Sequence, residues 1–78
     1  MPQKKYTEEE TKVLKALGNV IREARNQKGW SQEKLAEETG LHRTYIGSVE
    51  RGERNIGAIN IVNLTSILSI EPNTLFAD

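Results

Sequence analysis

Gly40 constrains this chain more than any other residue. On one side of it lies a helical pattern over 32–39, and on the other only Leu41 and His42 separate it from the next helical stretch. Ser31 is a hydroxyl N-cap candidate for the first segment, with Leu35 and Ala36 at its inward positions. His42 stands where the next N-cap belongs, Tyr45, Ile46 and Val49 form an apolar stripe, and Gly52 stops the second segment, 43–51. Glycine adopts the left-handed conformation cheaply, so the two helices meet at a tight turn. Ala36 is small enough to let the second helix cross close over the first, with Ile46 and Val49 as plugs at the crossing. This is a helix-turn-helix arrangement.

The flanking chain reads as helix too. Thr7-Glu8-Glu9-Glu10 is a capping box at the head of a helix over 7–28, with glutamates at its positive end. Val13, Leu14, Leu17, Val20, Ile21 and Ala24 keep helical spacing, and Lys28-Gly29 ends the run. Gly18 inside it costs about 1 kcal/mol against alanine, which points to close packing there. Residues 58–68 are rich in β-branched side chains but have no partner strand, so helix is the expectation. Glu71-Pro72 opens a last short turn from which Leu75 and Phe76 pack back. The expected organisation is all-α, with a flexible arm over 1–6 and a single domain over 7–78.

Composition removes several function classes. A chain of 78 residues builds one modest core, with little left over for a walled cleft. It has no cysteine, one histidine (His42) and one aspartate (Asp78), so enzyme chemistry, a metal site and a cofactor are not expected. The lack of cysteine fits a reducing cytosol. No apolar run approaches the ~20 residues of a membrane span, and no secretory signal precedes the fold. A cytoplasmic protein without a membrane partner is the expectation. Eleven basic and eleven acidic residues cancel, which weighs against gripping nucleic acid by bulk charge alone. The distribution is uneven: residues 1–30 carry +3, residues 31–55 carry −1, and residues 56–78 carry only Glu71 and Asp78. An anion-binding face must come from the first two-thirds.

The helix over 43–51 leaves Arg43, Thr44, Gly47, Ser48 and Arg51 off its apolar stripe. A helix about 10–12 Å wide fits the major groove of DNA, with its N-terminal residues at the base edges. Arginine forks to guanine O6 and N7, and threonine offers a methyl to thymine. Gly47 and Ser48 are small enough for close backbone approach to the groove floor. His42, Arg51 and the hydroxyl of Tyr45 are candidates for backbone phosphates.

Ser31-Gln32-Glu33-Lys34-Leu35-Ala36, Gly40-Leu41, Tyr45-Ile46 and Val49-Glu50-Arg51-Gly52 resemble the Cro/C1-type (XRE-like) helix-turn-helix family. The run Leu41-His42-Arg43-Thr44-Tyr45-Ile46, with Val49-Glu50-Arg51-Gly52-Glu53-Arg54-Asn55, more narrowly resembles controller proteins of bacterial restriction–modification systems. The resemblance covers about residues 12–77. It implies a compact five-helix, lambda-repressor-like bundle and a symmetric dimer on a palindromic operator. By matching position it makes Arg43 and Thr44 base readers, with Gly47 and Ser48 next along the groove. It makes Gln32 a phosphate clamp, and Arg54 and Asn55 loop contacts to backbone or groove edge. Arg25 and Glu50 match a buried ion pair joining the first helix to the end of the third. The family's frequent proline near Ile56-Gly57 is missing, and Gly47 stands where controllers often have serine.

Residues 56–78 offer more apolar side chains than a small core needs and no basic residue to repel a second copy. Ile59, Asn60, Asn63, Ile67, Ile70, Leu75 and Phe76 are the expected isologous interface. The expected partners are double-stranded DNA and a second copy of the chain, with RNA polymerase a further candidate and no small-molecule effector. A competing reading is an antitoxin-like protein-interaction module with secondary DNA binding.

Overall fold

The computed structural model describes residues 6–75. It contains four helices: α1 (Glu8–Gln27), α2 (Gln32–Thr39), α3 (Arg43–Glu50) and α4 (Ala58–Leu68), followed by one turn, Pro72–Leu75. There is no strand among the described residues. The five helices implied by resemblance are corrected to four. The final segment holds four residues and is closed by an i to i−3 bond from Thr74 N–H to the Glu71 carbonyl, which is too little ladder to count as a helix. Residues 1–5 of the expected arm, and Phe76, lie outside the described residues.

The helix boundaries have local causes. Thr7 and Glu10 exchange side-chain-to-backbone bonds of 2.9 and 3.0 Å, so α1 starts with a complete capping box. Gly29, at φ 74°, ends it. Ser31 Oγ accepts the Lys34 N–H at 3.0 Å and starts α2. Gly40, at φ 76°, sends its N–H to the Ala36 carbonyl at 2.9 Å. Thr39 stiffens the same turn: its hydroxyl donates to Leu35 O at 2.8 Å and accepts from Leu41 N–H at 3.2 Å. His42 caps α3 with its backbone only. Gly57, in extended backbone at φ −78° and ψ 161°, begins α4 with neither a side-chain cap nor a proline.

The β-branched stretch over 58–68 is helical because helical spacing puts Leu64 and Leu68 into the core. Among the described residues seven buried side chains form one core cluster: Ile21, Leu35, Ile46, Val49, Ile56, Leu64 and Leu68. They come from all four helices and the α3–α4 loop, so no helix pair buries the apolar surface by itself.

Candidate nucleic-acid interface

The position of α3 is set from beneath by backbone and charge. Gly18 lies where α1 passes the end of α3. A Cβ there would overlap the Val49 carbonyl oxygen and stand 2.7 Å from that of Glu50. The two helices therefore approach backbone to backbone. Glu50 is buried at 5% exposure. Its carboxylate accepts from Arg25 Nε at 2.7 Å, from Arg25 Nη2 at 2.9 Å and from Gln32 Nε2 at 3.0 Å. Arg25 Nη1 donates to the Trp30 carbonyl at 2.7 Å. Hydrogen bonding to Glu50 raises the guanidinium pKa above its ordinary value. One carboxylate thus joins α1, the start of α2 and the last turn of α3.

The opposite side of α3 is open at its first turn. Arg43 and Thr44 are exposed at its first turn. The Arg43 side chain is 56% exposed and pairs across the helix-turn-helix with Glu33, Nε to Oε2 at 3.1 Å. Glu33 sits in the first turn of α2. Its own backbone N–H, then Arg43, holds its carboxyl below the usual carboxylate range. Glu33 was not among the residues singled out from sequence. Ten positions separate it from Arg43, and only the crossing brings them together.

Gly47 differs from its expected bare surface. It is buried, because the Arg51 guanidinium and the Gln32 amide lie over it, 3.2 and 3.5 Å from where a Cβ would stand. Its small size makes room for those two side chains. The Ser48 hydroxyl donates to the Tyr45 carbonyl at 2.8 Å, which leaves it only acceptor capacity. Gln32 retains one of its two amide protons after bonding Glu50, so it can still donate to a phosphate. His42 is exposed beside Arg43, and Arg51 pairs with Glu53 at 3.1 Å on the surface. The Arg54 guanidinium lies 5.3 Å from the centroid of the Tyr45 ring. Asn55 is placed apart from α3, lining a surface pocket of ≈ 230 Å³ with Tyr6, Glu10, Val13 and Leu14.

α4 has two unlike sides. Ile59 and Val62 are its outward apolar residues, 85% and 63% exposed. Val62 was not singled out from sequence. Asn60 donates to Tyr45 Oη at 3.1 Å and Asn63 to the Thr39 carbonyl at 2.9 Å, so both are engaged within the fold. Ile67 and Ile70 pack partly against the core. No group of three His, Cys, Asp or Glu among the described residues is placed to hold a metal. No helix among them is long and apolar enough to cross a membrane.

Comparison with known proteins agrees with this geometry. A helix-turn-helix family model matches residues 21–75. The control protein C.SmaI of Serratia marcescens is 47% identical over 57 residues, which span 73% of this chain and 68% of that protein. Control protein C.BamHI of Bacillus amyloliquefaciens is 46% identical over 60 residues, covering 76% of this chain and 74% of that one. Among solved structures, the restriction–modification controller protein C.AhdI from Aeromonas hydrophila superposes with a TM-score of 0.74 at 49% identity, covering 83% of this chain and 97% of that chain. The controller protein C.Esp1396I, solved as a tetramer in complex with its natural 35 base-pair operator, matches with a TM-score of 0.72 at 33% identity, covering 82% of this chain and 84% of that chain. The chain belongs to the Cro/C1-type helix-turn-helix family, among the control proteins of restriction–modification systems.

Proposed function

We infer that this chain is a sequence-specific DNA-binding transcriptional regulator that sits as a homodimer on a palindromic operator and controls a restriction–modification system. The observation that carries the reading is the solvent-exposed first turn of α3, with Arg43 and Thr44 at its head, on a helix clamped from behind by Arg25 and Glu50. A rigid helix with a bare N-terminal turn is what major-groove reading needs. Ile59 and Val62 supply the apolar contact for a second copy, because single modules of this size bury too little surface for strong discrimination. The same reading places the protein in the cytoplasm and makes RNA polymerase a partner wherever the operator abuts a promoter. Control then follows the protein's own concentration, with no small-molecule effector.

Selection of bound sites from random duplexes tests the reading: a single palindromic consensus is expected, and recovery of no consensus refutes it. On that consensus, Arg43→Ala is expected to weaken binding by about 1–3 kcal/mol and leave binding to random duplexes nearly unchanged. Equal losses on both would contradict base reading by Arg43.

Glu33 competes with DNA for Arg43, since a guanine edge must take the place of its carboxylate. Exposed ion pairs are worth at most about 1 kcal/mol, so Glu33→Gln is expected to tighten operator binding up to about 5-fold. Fluorescence anisotropy titration decides it. Weaker binding would mean that Glu33 orients Arg43 and does not compete for it.

A further inference from the structure

Three segments, α3, the α3–α4 loop and α4, meet at Tyr45. Asn60 of α4 donates from Nδ2 to Tyr45 Oη at 3.1 Å, and Arg54 of the α3–α4 loop lies over the face of the same ring. The polarity of that bond matters. An amide nitrogen has only protons to give, so the Tyr45 oxygen is the acceptor. A phenol has one proton, and it does not lie on this bond. No acceptor among the described residues takes it. The cation over the ring adds positive charge beside the phenol, which favours an anion there. Tyr45 follows Thr44 on the helix that the operator reading puts in the groove, where the flanking groups are phosphate oxygens, which only accept.

We propose that Asn60 is a positioning residue: by donating to Tyr45 Oη it turns the phenolic proton outward, onto a phosphate oxygen of the bound duplex. This rests on the operator-binding reading. With Asn60 replaced by an acceptor, the tyrosine would give its proton inward and present only lone pairs to an anion. Such a contact is blind to sequence, so its loss lowers binding to operator and random duplexes alike. In that respect it differs from loss of Arg43.

The test is a double-mutant cycle on the full chain, with operator and random-duplex affinities and the Tm measured for each variant. Hydrogen bonds to charged groups are worth about 10- to 150-fold, so Tyr45→Phe is expected to weaken both affinities by about 10-fold or more. Asn60→Ala is expected to weaken both about 3-fold, since the proton then points outward for only part of the time. The double variant should match Tyr45→Phe alone, with all Tm values within a few degrees. Losses that multiply in the double variant overturn the proposal, as does an Asn60→Ala variant that binds like the wild type. A wild-type chain that selects no duplex overturns the operator reading itself, and this proposal with it.

Discussion

Glu50→Ala is expected to lower folding stability by about 3–5 kcal/mol, the usual cost of removing one partner of a buried ion pair. The carboxylate is the shared acceptor for two Arg25 nitrogens and the Gln32 amide. Without it a guanidinium whose side chain is only 11% exposed keeps its charge and loses its counter-ion. The Trp30 carbonyl still takes one of its protons, but the others face the space left behind. For a domain of this size each kcal/mol moves Tm by about 4–8 °C, so calorimetry should show a drop of more than about 12 °C. Glu53→Ala is the control. Its pair with Arg51 is 59% exposed on both sides, and exposed pairs contribute at most about 1 kcal/mol. Equal, small shifts for the two variants would show that Glu50 does not bear on the junction of α1, α2 and α3.

Gly18→Ala is expected to destabilise by about 3 kcal/mol, at the upper end of overpacking costs. Helix propensity alone predicts the opposite sign, a gain of about 1 kcal/mol. Contact geometry decides against propensity. The added methyl meets the carbonyl oxygens of Val49 and Glu50, which are backbone of the last turn of α3 and cannot swing aside like a flexible side chain. Relief comes only if α1 lifts away from α3, and that stretches the Arg25–Glu50 bonds as well. Gly57→Ala is the internal comparison, because a Cβ there meets nothing within 4 Å and the backbone is extended. Urea titration of the two variants should give a large loss for Gly18→Ala and almost none for Gly57→Ala. A Gly18→Ala protein as stable as the parent would disprove the backbone-to-backbone approach.

Most of the helical framework was readable before the structure. The capping box at Thr7, the Ser31 cap and the stops at Gly29, Gly40 and Gly52 act within a few residues of themselves, so local pattern carries them. The four main helices stand within a residue or so of the ranges that spacing assigned. The count went astray only at the end, where resemblance added a fifth helix and the chain makes a single turn. The interface was less legible. Gly47 looked like a bare patch because it lies on the helix face away from the apolar stripe, yet side chains from α2 and from the end of α3 cover it. Asn60 and Asn63 stood as expected dimer-interface residues on α4, and both reach inward to the helix-turn-helix. Glu33 stood only as part of the family motif, with no role of its own, because its partner lies beyond the turn.

Sequence alone therefore determined where the helices begin and end, which faces are apolar, and which residues head the recognition helix. Those properties depend on neighbours a few positions away, and the chain states them directly. Tertiary structure decided who holds whom across the turns: Glu33 on Arg43, Gln32 on Glu50, Asn60 on Tyr45. These pairings depend on how closely helices cross, and a backbone contact at Gly18 sets that distance at the end of α3. It is a property of packed volume in three dimensions, which no local spacing encodes.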